Sequence, residues 1–164
     1  GRTPLSAGTR ALAGRVGTDD YAAVLDHPDV AKALRSMMGA QALDILRRNL
    51  QVRTPIAADG PWIVLQGLAP RQGGEEEAIV AVQTETGLVD AGLLTGRNLM
   101  HFTQSTEGAE NAVVLAWYAQ RRGAGRTEMQ VRQKPPAPNA RKPQRSQRTT
   151  ESASQSAHAS IATR

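Results

Sequence analysis

The run from residue 61 to 102 constrains the fold more than any other part of the chain. Short apolar stretches alternate there with turn residues. Residues 62–68 are followed by Ala69-Pro70-Arg71-Gln72-Gly73-Gly74. Residues 77–84 lead into Glu85-Thr86-Gly87, residues 88–94 into Thr95-Gly96-Arg97, and residues 98–102 close the run. Aliphatic segments of this length, punctuated by glycine-bearing turns, predict an antiparallel meander. Residues 52–57 and the hairpin signal Ala58-Asp59-Gly60 add one more segment, for a sheet of about five strands. In residues 77–84, Ala78, Val80 and Val82 point to one side while Ile79 and Ala81 point to the other. Apolar character on both sides predicts a central strand covered by helices.

The helices lie on either side of the meander. Asp19 and Asp20 form an N-cap cluster before Tyr21, Val24 and Leu25, because acids favour the positive end of a helix. His27-Pro28 interrupts that stripe, and Pro28 suits the first position of a second helix. Val30, Ala33, Leu34, Met37 and Met38 recur at helical spacing until Gly39, and Leu43, Ile45, Leu46 and Leu50 mark another segment. Residues 110–121 carry Val113, Val114, Trp117 and Tyr118 on one side and read as a closing helix. The fold class is therefore α+β, a domain over residues 19–122. Residues 1–18 read as a flexible lead-in. Residues 123–164, basic and rich in Pro, Ser and Gln, hold too few apolar groups to offset ordering entropy and read as a disordered tail.

Charge is unevenly placed in this 164-residue chain. Residues 1–120 hold 10 Lys/Arg and 13 Asp/Glu, a net of −3, and residues 121–164 hold 10 and 2, a net of +8. A mildly acidic folded part suits a basic enzyme as partner. The tail arginines, spread among prolines without aromatic residues, suit no more than weak, non-specific nucleic-acid contact. The absence of cysteine excludes disulfides, thiolate metal sites and cysteine nucleophiles. No apolar run approaches the ~20 residues of a spanning helix.

Few patterns carry chemistry. His27, His101 and His158 share no metal-ligand spacing. No nucleophile elbow or phosphate loop occurs. Glu75, Glu76 and Glu77 read as a solvated acidic rim, one that also favours a basic partner. No catalytic residue, cofactor or metal is expected. The candidate site is the loop Ala69, Pro70, Arg71, Gln72, Gly73 and Gly74. One reading is an ordinary β-β connection that uses proline and glycine for geometry. The other is a presented recognition loop. Pro70 fixes φ before Arg71, lowering the entropy cost of presenting a guanidinium that can pair bidentately with a carboxylate.

The order of elements and several local phrases resemble the family of bacterial inhibitors of vertebrate lysozyme. The similarity runs over residues 20–122. It includes Pro61-Trp62-Ile63-Val64-Leu65-Gln66-Gly67, the loop, Glu76-Glu77-Ala78-Ile79-Val80-Ala81-Val82, Thr86-Gly87-Leu88-Val89 and Gly92-Leu93-Leu94. In that family the loop reads Cys-Lys-Pro-His-Asp-Cys-Gly and projects into the lysozyme active site, where the histidine meets the catalytic carboxylates. Here Leu68 and Gly73 occupy the cysteine positions, Ala69 the lysine, Arg71 the histidine and Gln72 the aspartate, while Pro70 and Gly74 are kept.

The resemblance implies a non-enzymatic, periplasmic binding protein that docks residues 69–74 in the active site of a lysozyme or related peptidoglycan-cleaving enzyme. The alternative is a structural component of an envelope or multiprotein assembly, tethered by its tail, with the cytoplasm as the alternative compartment. The partners these readings admit are a lysozyme-like glycosidase, an assembly subunit, a second copy of the chain in a homodimer, and nucleic acid at the tail.

Overall fold

The computed structural model describes residues 8–123 and 125–135. Seven strands form one mixed sheet: β1 (Val52–Arg53), β2 (Ala57–Asp59), β3 (Trp62–Leu68), β4 (Glu76–Gln83), β5 (Val89–Thr95), β6 (Asn98–Thr103) and β7 (Thr127–Arg132). The order across the sheet is β1-β3-β4-β5-β6-β7, with β2 also pairing β3 beyond β1. Pairings up to β6 are antiparallel, and β7 runs parallel to β6.

Among the described residues, three α-helices pack with the sheet. Helix α1 (Tyr21–Leu25) starts at Asp20, whose carboxylate accepts from the Ala23 N–H at 3.2 Å. Helix α2 (Pro28–Arg48) holds Pro28 in its first turn and is kinked at Gly39, whose φ of 84° is left-handed. Gly39 thus ends one helical segment and starts the next, because glycine alone meets no Cβ penalty in that conformation. Helix α3 (Ala112–Arg121) begins at Asn111, whose side-chain oxygen accepts from the Val114 N–H.

The double-sided pattern of β4 has its predicted cause. Ala78, Val80 and Val82 pack into the larger core with α1 and α2. Ile79 and Ala81 face α3 in a second core with Val64, Leu94, Leu99, Val114 and Trp117. Trp117 lies so close to the sheet that a Cβ on Gly92 would fall 2.5 Å from its ring. The Val, Ile and Leu side chains buried here contribute roughly 1.5–3 kcal/mol each, which makes the two cores the main source of stability.

Two expectations are corrected. The sheet has seven strands rather than about five, because residues 52–59 split into β1 and β2 and because β7 joins the far edge. Between β1 and β2 the Tyr21 hydroxyl fills the gap, lying 2.7 Å from the Thr54 carbonyl and accepting from the Gln66 N–H at 3.1 Å. The expected tail starts at Gly123, yet 127–132 pairs with β6 throughout. After β6 the chain crosses back over the sheet in α3, so its next strand must run parallel. Val131 packs against the larger core, and Gln130, Arg132 and Glu128 bond to His101, Glu110 and Tyr118. At the other terminus, Ala11–Arg15 forms a 3-10 turn with Leu12 buried, and Thr9 is fully buried, donating to the Thr84 carbonyl at 2.9 Å. The fold therefore starts before residue 19 and continues past 122. Residues 136–164, the rest of the expected tail with His158, lie outside the described residues.

Candidate functional site

The 69–74 loop joins β3 to β4 at one end of the sheet. Its base is closed by the Ala69 N–H donating to the Glu76 carbonyl at 2.9 Å, and Ala69 is buried. The Gln72 N–H then reaches back to the Ala69 carbonyl at 3.0 Å, making a four-residue turn with Pro70 and Arg71 at its corners. Arg71 has a φ of 62°, the sole non-glycine residue with positive φ among those described. Proline second and a left-handed residue third fit a type II turn, in which glycine is the usual third residue. A side chain there costs roughly 1–2 kcal/mol. Pro70, Arg71, Gln72, Gly73 and Gly74 are all exposed, and the Arg71 guanidinium makes no hydrogen bond or ion pair with any described residue.

The loop has no disulfide, and a polar ring braces it instead. The Gly74 N–H donates to Glu77 Oε2 at 2.5 Å, and Glu77 Oε1 accepts from Arg121 Nε at 2.6 Å. Arg126 closes the ring, donating through Nη2 to the Gly74 carbonyl at 2.8 Å and through Nη1 to the Arg121 carbonyl at 2.7 Å. Both backbone polar groups of Gly74 are therefore held. Arg121 is itself fixed, stacked 4.3 Å from the Trp117 ring. Leu68 and Gly73, on either side of the loop, are neighbours: a Cβ on Gly73 would sit 3.4 Å from Leu68 Cδ2.

A second set of bonds holds the exit of the loop. Glu76 pairs with Arg48 and accepts from Asn49 Nδ2 at 3.3 Å, Thr95 Oγ1 at 3.1 Å and the Gly96 N–H at 3.0 Å. Burial on its own would push the Glu76 carboxyl up. The bonds from Thr95 and Asn49, with the Arg48 charge and the Gly96 N–H, outweigh it and hold the group below its ordinary 4.5. The expected acidic rim is thus corrected. The side chains of Glu76 and Glu77 are only 15% and 13% exposed and are ion-paired inward, leaving Glu75 alone facing solvent. Carboxylates at a loop base are pulled inward when guanidinium donors stand within reach, here from the ends of α2 and α3.

The histidines are not brought together. His27 caps α2, its Nδ1 accepting from the Asp29 N–H at 3.1 Å while Nε2 lies 2.7 Å from the Gly8 carbonyl. His101 is buried on β6 with Nδ1 2.9 Å from Gln130 Nε2, and its own Nε2 has no hydrogen-bond partner among the described residues. Burial, reinforced by Arg132, lowers its pKa against the raising effect of Asp90 and Glu110. No group of three or more metal-ligating side chains occurs among the described residues. The arrangement suits presentation of one cation on a braced turn.

Sequence reasoning missed the brace. Arg126 follows Gly123 and Gly125 in a stretch read as tail. The signal that marks it is the alternation just beyond, where Met129 and Val131 sit two residues apart among polar neighbours.

A comparison with protein-family models matches residues 29–153 to the inhibitor of vertebrate lysozyme (Ivy) family, about three quarters of the chain. No curated protein and no solved structure matches.

Proposed function

The chain belongs to the inhibitor of vertebrate lysozyme family, and on that premise we propose that it is a non-catalytic binding protein of the cell envelope. It docks its 69–74 loop in the active site of a lysozyme or related peptidoglycan-cleaving enzyme. Arg71 is the contact that matters most, its guanidinium meeting the paired carboxylates that glycoside hydrolysis requires. The carrying observation is the conformation of Arg71. A bulky side chain in a glycine position is strained, and strain of this kind clusters at ligand clamps. The ring through Glu77, Arg121 and Arg126 supports the reading, because a loop ordered before docking loses less entropy on binding. No described helix is long and apolar enough to cross a membrane.

The test is inhibition of a vertebrate lysozyme by the full chain. Arg71→Ala weakens inhibition by about 10- to 150-fold, corresponding to 1.5–3 kcal/mol for a charge-assisted pair. Arg71→Glu weakens it further through repulsion. Wild-type protein that leaves lysozyme uninhibited at high micromolar concentration refutes the proposal.

A further inference from the structure

The loop shares its end of the sheet with two other turns. The turn between β5 and β6 touches the loop's exit, where the Gly96 N–H donates to the Glu75 carbonyl at 2.9 Å. The turn between α3 and β7 touches its tip side through Arg126 and Gly74. These two turns also meet each other, since a Cβ on Gly125 would lie 3.8 Å from Arg97 Nη2. The three turns form one continuous surface.

Charge on that surface is unbalanced. Glu76 is neutralised by Arg48, Glu77 by Arg121 and Glu128 by Arg122. Three further guanidinium groups face no described carboxylate. Arg71 and Arg97 are exposed, without a side-chain hydrogen bond or ion pair to a described residue. Arg126 bonds only to carbonyl oxygens, which leaves its charge uncompensated. Of the acids on these turns among the described residues, Glu75 and Glu128 are exposed, and Glu128 is the one paired with Arg122. Residues 8–135 carry 14 Lys/Arg and 14 Asp/Glu, so this excess is local and not a property of the whole body. The balance also corrects the expectation of an acidic folded part, because β7 and its approach add arginines to it.

We propose that Arg97 and Arg126 extend the docking surface beyond the loop, and that the surface fits an enzyme whose cleft is rimmed by carboxylates in addition to its catalytic pair. The proposal rests on the reading of the 69–74 loop as the docking element and adds the chemistry of the partner that it selects. Charges on the rim of an interface act mainly on the association rate, and salt screens them over about 10 Å at 0.1 M. Arg97 is a specificity-determining residue in this sense. Its carbonyl accepts from the Thr127 N–H at 2.8 Å, a backbone bond that any residue there keeps, while its side chain bonds to no described residue, so its variants report on binding.

The experiment measures association rate and Kd of the full chain with a vertebrate lysozyme chosen for an acidic cleft rim, at low salt and at about 0.5 M salt. Wild type, Arg97→Ser, Arg97→Glu and Arg71→Ala are compared. Arg97→Ser slows association about two- to fivefold at low salt and Arg97→Glu roughly tenfold, and both converge on wild type at high salt. Unchanged or faster association of Arg97→Glu, with Kd weakened by Arg71→Ala, overturns the extended surface and leaves the loop reading standing. An unchanged Kd for Arg71→Ala is a separate result: it overturns the loop reading and this proposal with it.

Discussion

Arg71→Gly separates what the loop costs the fold from what it does for a partner. Arg71 sits at a φ of 62°, where a side chain costs roughly 1–2 kcal/mol relative to glycine. Glycine removes that cost but adds freedom to the unfolded chain, offsetting about 0.5–1 kcal/mol. The Arg71 side chain makes no hydrogen bond or ion pair with a described residue, so nothing else is lost on the folded side. The net is a stabilisation of about 0.5–1 kcal/mol, or roughly 2–5 °C in Tm for a body of this size. The same substitution removes the cation proposed to meet the catalytic carboxylates and weakens lysozyme inhibition about 10- to 150-fold. Thermal unfolding by circular dichroism and an inhibition titration on the same preparation read both effects. A variant that melts below wild type contradicts the strain argument. A variant that inhibits within twofold of wild type contradicts the role of the guanidinium.

Other consequences follow from the brace, the last strand and the buried histidine. Leu68→Cys with Gly73→Cys, whose side chains would adjoin, closes a short loop worth about 2 kcal/mol in chain entropy, so the oxidised variant melts higher and inhibits more tightly than its reduced form. Removing everything after Arg122 deletes β7 and the Arg126 bridge and lowers Tm by more than about 10 °C, whereas removing everything after Pro135 changes it little; equal melting of the two would show that β7 contributes nothing. His101 is held neutral by burial, with its pKa below the ordinary 6.5. As pH falls below 6.5 the unfolded chain takes up a proton before the folded one does, so stability drops. Glu76 and Glu110, lowered from 4.5, lose their contributions only at more acid pH. Urea unfolding between pH 7.5 and 5.5 should therefore show a steeper loss for wild type than for His101→Gln, and parallel losses would sink the assignment.

The parts of this fold written in local pattern were legible. Trp62–Leu68 was bounded to the residue because turn signals flank an aliphatic run. Gly39 and Pro28 were read correctly as a helix break and a helix start, because each acts through its own backbone geometry. What escaped is what depends on distant partners. β7 is poor in apolar residues and is held by β6 and by side chains of α3 and its neighbours, none of which a local reading sees. Glu76 and Glu77 look like a solvated rim until Arg48 and Arg121 are brought to them from 28 and 44 residues away. The loop was singled out for its proline, arginine and glycines. The feature that distinguishes it, an arginine in a left-handed position, is a backbone angle, and it emerges only once the turn is closed by Gln72 and Ala69.

A loop that enters the catalytic cleft competes with any ligand that fills the cleft. The most direct measurement is the Kd of the full chain for a vertebrate lysozyme with and without a saturating chitooligosaccharide in that cleft. Competition is the expected result, with the apparent Kd rising in proportion to the oligosaccharide concentration. An unchanged Kd, with both molecules bound to lysozyme at once, would contradict it.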